Sequence, residues 1–427
     1  MLLLTAACVL LTSTLTSAGQ PYVNSPYVCA SAPLPLPLCQ RLSLEERDSF
    51  SQASLASPVS SNSSSSPWAS QPECHTFENT TQSFCVYSSH AFANSRGISI
   101  LTTPDRAEYI QQLPAFIQPV ALSGVNKQSS PPYEERQLPG KGRGLIANKT
   151  LYRGDRIFAH TPVLILDADA DDFEYMDEKK WVKMENEATD RLPPRTRELF
   201  WELFGEPVLD PVADRINKNA FEIEIDEETH YAVFPEIARL NHDCRPNAAY
   251  FFDSVTLTHY VHAITTINPG TEITITYIDP HLPRRQRLRL LSSSWGFNCT
   301  CSLCSAHPRL TRESDSRLAQ ITALTQHYDE WETASSEMAL TLISLYEQER
   351  LYVPLGSAYR FAALTFCAEG NRWGAIKYAR LAIELETLDS GFRDPNVRLM
   401  KSLAEQPEKQ SCWLKRSMRT EENAAKV

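Results

Sequence analysis

A short cysteine cluster is the clearest chemical signal in the chain. Cys299, Cys301 and Cys304 form a C-x-C-x-x-C pattern. Structural zinc is held by four ligands in a tetrahedron, with thiolates about 2.3 Å from the metal. The local group supplies three thiolates, and Cys244 supplies a fourth if the chain folds back against it. The pattern predicts one zinc ion, with disulfide pairing as the alternative in a secreted chain.

A compact polar segment, Asn241–Asn247, lies between two apolar runs with strand-like composition. It places asparagine, histidine, aspartate and cysteine in consecutive positions. A lone histidine is more often a satisfied core residue than a functional group, but these neighbours favour a functional loop. Upstream, Gly142 and Gly144 form a G-x-G between short strands. The full G-x-G-x-x-G and a following helix are missing, which excludes a Rossmann dinucleotide site and by itself indicates only a turn.

Length and composition bound the architecture that positions these residues. The chain has 427 residues, of which 42% are hydrophobic and 22% charged, with a formal net charge of −11. About 100–200 residues per domain predicts about two to four folded units. These values exclude wholesale disorder, collagen and a polytopic membrane protein. Because the net charge is negative, we expect no direct binding to nucleic-acid phosphates.

The first third of the chain differs from the rest. Residues 1–18 are apolar and end in small side chains, as in a cleaved secretory signal peptide, although a positive n-region is missing. Residues 19–70 form a Ser/Pro-rich, weakly charged arm and linker, and 71–132 form either a small N-terminal module or a flap on the adjoining domain. In a secreted chain we expect two disulfides among four cysteines, in one of three connectivities. These four are Cys29, Cys39, Cys74 and Cys85. Asn62 and Asn79 lie in N-x-S/T glycosylation sequons, and we expect no membrane span in the mature chain.

Residues 313–410 have apolar side chains at three- and four-residue spacing and are predicted to be α-helical. Residues around Gly370–Ala382 resemble one tetratricopeptide helix pair. One pair cannot stack into a solenoid. These helices therefore either complete the core or offer a surface to a partner protein.

Four segments, taken in order, resemble the SET-domain lysine methyltransferases. They are GKGRGL, RLNHDCRPNA, GTEITITY and CTCSLC. The segment NKNAFEIEI is similar to the strand that precedes the N-H-x-C motif in the branch of the SET-and-MYND proteins and related fungal proteins. The resemblance covers Tyr133 to Ser305. It implies an α+β fold: a β-rich SET domain with short strands and a pseudoknot at 133–285, a helical insert at about 167–215, and a zinc-binding post-SET segment at 286–305, followed by the TPR-like helices.

The resemblance also implies a cofactor and the residues that bind it. The cofactor is S-adenosylmethionine, approached closely by the backbone of the glycine segment. Asn241 and His242 are implied to hold its methionine end and adenine, Phe297 to pack on adenine, and Tyr277 to line the junction with the lysine channel. The full implied cofactor set is Lys141, Gly142, Arg143, Gly144, Asn241, His242, Tyr277 and Phe297. One zinc is implied to bind Cys244, Cys299, Cys301 and Cys304.

The implied reaction is an in-line transfer of a methyl group to a lysine amine of a protein substrate. The amine must be neutral, whereas free lysine has a pKa near 10.4, and an apolar channel beside a cationic cofactor lowers it. Catalysis is then mostly alignment, in which the Tyr277 hydroxyl orients the reacting groups. Tyr250, Phe251 and Phe252 either wall the lysine channel or belong to an ordinary strand core.

Three features depart from the family pattern. Asp243 replaces the usual serine, Thr271 replaces the first acid of G-E-E so that only Glu272 is kept, and no MYND zinc finger is visible. Asp243 places a charge beside the implied cofactor site and favours a rival interpretation: an inactive SET scaffold that is secreted or binds proteins. The N-terminus predicts the secretory pathway or an extracellular location, whereas the family resemblance implies the nucleus or cytoplasm.

Overall fold

A computed structural model describes residues 27–29, 39–41, 66–77, 82–127, 129–168, 177–206 and 210–416. The chain divides into two compact units, one at Ser61–Thr276 and one that contains Tyr277–Val427 together with Met1–Ser60. The predicted signal peptide, the sequons at Asn62 and Asn79, and the side chains of Cys29 and Cys39 lie outside the described part of the chain. Strands β1 (Tyr27–Cys29) and β2 (Cys39–Arg41) pair antiparallel, with Cys29 opposite Cys39.

The largest sheet of the first unit has six strands in the order β10-β11-β9-β5-β4-β3. Its strands are β3 (Glu73–Thr76), β4 (Ser83–Ser89), β5 (Ile98–Thr102), β9 (Leu164–Asp167), β10 (Ala220–Ile225) and β11 (Glu228–Val233). Strand β5 runs parallel to β9, with Ile100 opposite Ile165. The strands of residues 71–132 therefore belong to the same sheet as β9–β11 and do not form a sheet of their own.

Two smaller sheets complete the β-structure of this unit. One has the order β12-β15-β7-β6 and the other the order β13-β14-β8. Their strands are β6 (Tyr133–Leu138), β7 (Gly142–Ala147), β8 (Arg156–His160), β12 (Asn241–His242), β13 (Ala248–Asp253), β14 (Thr258–Ala263) and β15 (Glu272–Ile275). The short strands expected around the G-x-G motif at Gly142 and Gly144 are confirmed.

Five helices accompany these sheets: α1 (Pro104–Gln111), α2 (Pro114–Ile117), α3 (Glu178–Asp190), α4 (Pro194–Trp201) and α5 (Pro211–Asn219). Short turns lie at Phe92–Ser95, Pro119–Leu122 and Ile237–Arg239. Helix α1 begins at Pro104, and Pro193 lies in the break between α3 and α4. Asp177 caps α3 by accepting hydrogen bonds from the backbone N–H groups of Lys179 and Lys180. The helix packs Met184 and Ala188 into the core of the six-stranded sheet.

From Arg284 onward, the described part of the second unit is helical. It contains α6 (Arg284–Trp295), α7 (Pro308–Thr325), α8 (Ser336–Glu349), α9 (Leu355–Ala368), α10 (Arg372–Asp389) and α11 (Pro395–Glu405), with short 3-10 turns at Tyr328–Glu330 and Pro407–Lys409. A continuous apolar core joins α7 to α11 and includes Leu342, Phe361 and Ala379. The predicted α+β class, with a helical region at the C-terminal end, is therefore confirmed. Among the described residues, no helix has the length and apolarity to cross a membrane.

Two disulfides are present in the described part of the chain. Cys74 pairs with Cys85 across β3 and β4, and Cys367 pairs with Cys412. The first joins two of the four N-terminal cysteines for which disulfides are predicted. The second was not predicted, because its partners lie 45 residues apart in a helical segment without any spacing pattern.

Candidate functional site

Strand β15 brings the two sequence motifs of the first unit into one sheet. On one side it pairs in parallel with β12, so that Asn241 lies opposite Thr274. On the other side it pairs antiparallel with the glycine-containing strand β7, where Glu272 lies opposite Ile146. The N-H motif and the G-x-G motif, which are far apart in sequence, thus become near neighbours on one surface.

The carboxamide of Asn241 connects these strands. Its Nδ2 donates to the backbone oxygen of Arg143 at 3.1 Å and to Oε1 of Glu272 at 2.9 Å. Lys141 donates from Nζ to the other oxygen of Glu272 at 2.6 Å. Two predicted cofactor-binding residues, Asn241 and Lys141, therefore meet on one carboxylate.

Glu272 lies at the centre of this arrangement, and the sequence alone assigns it no role in the site. It is the retained acid of the Gly270–Glu272 motif, but its role as the link between Lys141 and Asn241 depends on sheet pairing. Its backbone oxygen also accepts a hydrogen bond from Nδ2 of Asn247 at 2.8 Å, and Oδ1 of Asn247 accepts from the backbone N–H of Thr274 at 2.9 Å. The side chain of Asn247, in the loop that follows β12, thereby fixes the position of β15.

The two positions of the G-x-G motif require glycine for different structural reasons. A Cβ atom on Gly144 would lie 2.5 Å from Cδ1 of Leu138 and 2.7 Å from Nδ2 of Asn241, so the side chain of Asn241 occupies the space of the missing Cβ. Gly142 has a φ of +72° and no other atom within 4 Å of its Cβ position. Its backbone is strained for other residue types and is open to the close approach of a ligand.

His242 and Asp243 have different environments. His242 is buried, and its Nε2 atom lies 3.3 Å from Sγ of Cys244. The backbone N–H of Asp243 donates to the oxygen of Ile275 at 3.0 Å, and its Oδ1 accepts from the backbone N–H of Arg245 at 2.8 Å. The carboxylate that departs from the family pattern is thus engaged in a turn with its own loop.

The three aromatic residues of β13 face two sides of their sheet. Tyr250 stacks on His259 with ring centroids 4.9 Å apart and contacts Phe221 edge-on at 5.6 Å. Phe251, on the opposite face, stacks on Tyr260 at 5.0 Å. The residues of β13 therefore pack as members of aromatic clusters, which agrees with the strand-core alternative.

In the second unit, Tyr277 lies two residues after the end of β15 in the chain. Its ring lies 5.5 Å from that of Trp295 and 6.5 Å, edge-on, from that of Phe297. The predicted pair Tyr277 and Phe297 is therefore brought together. Trp295 was missed from the sequence, because it is the last residue of α6 and reads as an ordinary helical aromatic.

The C-x-C-x-x-C segment follows α6, which ends at Gly296 in a left-handed conformation. Cys299, Cys301 and Cys304 are all buried, are not in disulfides, and bring their sulfur atoms within 4.8 Å of one another. The backbone N–H of Cys304 points to Sγ of Cys301 at 3.4 Å, and Nε of Arg284 donates to the oxygen of Cys304 at 2.7 Å. Buried thiols in a turn stabilised by N–H groups are compatible with a zinc centre. Cys244, in the first unit, is likewise buried and outside any disulfide.

Comparison with known proteins identifies the domain to which the first motifs belong. Residues 142–278 match the model of the SET domain. The chain is 33% identical over 204 residues to histone-lysine N-methyltransferase set5 of Schizosaccharomyces pombe, which is 46% of this chain and 58% of that protein. It is 37% identical over 94 residues to N-lysine methyltransferase SMYD2-A of Danio rerio, 22% of this chain and 21% of that protein. It is 35% identical over 112 residues to N-lysine methyltransferase SMYD2 of Homo sapiens, 26% of this chain and 24% of that protein.

The matches cover 58% of set5 and under a quarter of the two SMYD2 proteins. The chain therefore contains a SET domain and resembles the SMYD-like branch of the SET-domain protein-lysine methyltransferases, as its motifs predict.

Proposed function

We propose that this SET-domain chain transfers a methyl group from S-adenosylmethionine to the side-chain amine of lysine in a protein substrate. The observation that carries the proposal is the bridge made by Asn241 between the glycine strand and Glu272. The residues that this bridge joins are not part of the hydrophobic core. The names of the relatives, which are lysine methyltransferases, support the same chemistry.

S-adenosylmethionine would supply an electrophilic methyl group on a positively charged sulfur. The residues of the first unit fit such a ligand because Gly142 leaves its backbone open and the carboxamide of Asn241 lies against the neighbouring backbone of Arg143. His242 follows Asn241 on β12 and is assigned to the same set. The Glu272 carboxylate orients Lys141 and Asn241. We assign Lys141, Arg143 and Gly144 to the same set, since their backbone lies along the strand that Asn241 contacts.

Tyr277 is the proposed catalytic residue. A lysine amine reacts only when neutral, and the Tyr277 hydroxyl can orient the amine by hydrogen bonding without removing a proton from it. Trp295 and Phe297 contact the Tyr277 ring and limit its movement. They also provide apolar surface that disfavours a charged ammonium group.

We propose that zinc binds Cys299, Cys301 and Cys304 and that Cys244 is the fourth ligand. Four cysteines of the described residues are outside disulfides, all four are buried, and zinc in structural sites takes four ligands. The contact of His242 with the Cys244 sulfur gives that thiolate a potential hydrogen-bond donor. Zinc acts structurally here, by ordering the segment after α6.

The second candidate function is an inactive SET scaffold in the secretory pathway. The disulfides Cys74–Cys85 and Cys367–Cys412 support an oxidising compartment, which we propose as the location of the chain. Asp243 also favours this candidate, although its engagement with Arg245 takes the carboxylate into a local turn. A non-reducing peptide map of protein purified from its native source tests the location: reduced Cys367 and Cys412 would contradict it.

The test of the proposed activity is methyl transfer from labelled S-adenosylmethionine to a mixture of lysine-rich proteins. We expect label in lysine side chains, and its loss when all substrate lysines are acetylated beforehand, because an amide nitrogen does not accept the methyl group. The Tyr277→Phe variant should lose about 100-fold or more in rate while keeping its affinity for S-adenosylmethionine. Equal transfer by wild type and Tyr277→Phe would contradict the assignment, and a protein that binds the cofactor without transferring label to any lysine would favour the scaffold.

A further inference from the structure

A histidine and two glutamates meet at the β3 edge of the six-stranded sheet. Glu73 and His75 flank Cys74 on β3, so their side chains point to the same face of the strand. Glu187 comes from the last turns of α3. One ligand atom from each of the three residues lies within 4.8 Å of the others.

The imidazole of His75 is the least satisfied member of this group. Its Nε2 atom is shielded from solvent and has no hydrogen-bond partner among the described residues. It lies 3.7 Å from Oε1 of Glu73, beyond hydrogen-bond distance. A buried polar nitrogen without a partner costs free energy, and a metal ion is one group that would satisfy it.

The charges of the group are also incompletely balanced. Arg191 forms ion pairs with Glu187 and, at 3.4 Å, with Glu73, so one guanidinium serves two carboxylates. A divalent metal ion at this position would replace the guanidinium between the two carboxylates.

We propose that Glu73, His75 and Glu187 bind one zinc ion, for which Arg191 is the competing cation. One imidazole nitrogen and two carboxylate oxygens are a ligand set that zinc accepts at about 2.0–2.2 Å. In a tetrahedral site such ligands are about 3.3 Å apart, so the side chains must close by about 1–2 Å. The Cys74–Cys85 disulfide lies between the two strand ligands and holds β3 against β4, which limits the adjustment to side-chain rotation.

The site would link β3 to α3 and so attach the first strand of the sheet to the helical insert. Three protein ligands leave one position for water or another small ligand. The ligands are oxygen and nitrogen donors, which separates this site chemically from the cysteine cluster. The proposal is independent of the methyltransferase assignment.

The test is a calorimetric titration of the full chain with Zn²⁺, starting from protein that already holds one equivalent. We expect a second, weaker equivalent in the wild type. His75→Gln and Glu187→Gln should each weaken this second equivalent by about tenfold or more and keep the first. Arg191→Met should tighten it several-fold, because the competing cation is removed. The exposed Glu198→Gln variant on α4 is the matched control and should bind as the wild type does.

Absence of a second equivalent in the wild type would overturn the proposal. Wild-type affinity in both His75→Gln and Glu187→Gln would overturn it as well. Weaker binding in Arg191→Met would show that the arginine supports the site and does not compete for it, which contradicts the assigned role. Since two separate ligand variants are used, a folding defect in one leaves the other to decide.

Discussion

Asn241 holds its place between two strands through two hydrogen bonds, and Gly144 is glycine because the Asn241 side chain occupies the position of a Cβ. The candidate site therefore depends on the carboxamide of Asn241 and on the absence of a Cβ atom at Gly144. Glu272 completes the arrangement by accepting from Lys141 and Asn241 together.

The Gly144→Ala variant is expected to bind S-adenosylmethionine about tenfold or more weakly with its fold kept. The added Cβ would lie 2.7 Å from Nδ2 of Asn241, and the colliding atoms are side-chain ends that can move. Calorimetry with the cofactor and urea unfolding measure the two effects separately.

Gly154→Ala is the matched control for this change. Gly154 has a φ of +92° and no atom near its Cβ position, so the substitution should cost about 1 kcal/mol of unfolding free energy without changing cofactor affinity. Equal losses of affinity in the two variants would show that general destabilisation, and not displacement of Asn241, explains the effect.

Residue types in short motifs were enough to predict Asn241, His242 and the cysteines as candidates, because their spacing is local. Glu272 and Trp295 were missed for a physical reason. A carboxylate in an alternating strand and a tryptophan at a helix end are ordinary in sequence, and their roles arise only from contacts made across strands or turns.

At the scale of elements, strands β8 and β14 bury three histidines. Burial lowers the pKa of His259 to about 3 and the pKa values of His160 and His262 to about 4. Arg156 contributes to the lowered pKa of His262. For His160, Glu236 raises the pKa and Arg96 lowers it. His259 is enclosed by aromatic rings, among them Phe234 at 4.7 Å. These histidines are neutral in the folded state at neutral pH.

The free energy of unfolding should therefore fall on acidification from about pH 6.5. The folded-state pKa values lie below the unfolded value of 6.5, so the unfolded chain binds more protons in this window and stability is lost as the pH falls towards 4. The slope is up to about 1.4 kcal/mol per pH unit for each histidine. Urea unfolding at several pH values measures it.

His259→Phe should reduce this pH dependence, since phenylalanine suits the aromatic surroundings and does not titrate. An unchanged slope between pH 7 and pH 4 in the variant would show that His259 is not buried in its neutral form.

A chain of hydrogen bonds fixes the segment that follows Tyr277 within the second unit. Oδ1 of Asp279 is 2.8 Å from Nδ1 of His281, Nε2 of His281 is 3.0 Å from the Tyr346 hydroxyl, and that hydroxyl is 3.4 Å from the hydroxyl of Tyr328. Tyr346 on α8 is buried, and burial raises its pKa above the ordinary value.

Tyr346→Phe should lower the unfolding free energy of the helical unit by about 1–3 kcal/mol, because it removes the hydroxyl that bonds to Nε2 of His281. Tyr378→Phe is the control, since the Tyr378 hydroxyl accepts a long hydrogen bond of 3.4 Å from the exposed Lys377. Equal stability losses in the two variants, measured by urea unfolding, would contradict a role for the chain of hydrogen bonds.

The segment after α6 carries the zinc prediction. The Cys301→Ser variant should lose the zinc held by the cysteine cluster. Because the segment after α6 is then disordered, the variant should also fail to bind S-adenosylmethionine. Structural zinc contributes about 10–16 kcal/mol in small domains, so partial loss is not expected. Metal content per chain and calorimetry measure both effects.

The exposed Ser302→Ala is the matched control within the same turn. Wild-type cofactor affinity in Cys301→Ser would separate zinc from cofactor binding and contradict this part of the account.

At the scale of the whole molecule, the α+β class and the helical C-terminal region were predictable because hydrophobic periodicity is local. The sequence does not predict whether β3–β5 join the large sheet, because the parallel pairing of Ile100 with Ile165 has no signature in either strand. The Cys367–Cys412 disulfide was missed for the same reason: helix packing, not spacing, brings the two cysteines together.

We expect the SET-like residues of this chain to bind S-adenosylmethionine through Asn241. Calorimetric titration of folded, zinc-loaded protein with S-adenosylmethionine tests it most directly, with Asn241→Ala as the variant and the exposed Asn268→Ala as the control. We predict one binding site per chain in the wild type and in Asn268→Ala, and a loss of affinity of about tenfold or more in Asn241→Ala. Folded wild-type protein that does not bind the cofactor, or Asn241→Ala that binds it equally well, would contradict the account.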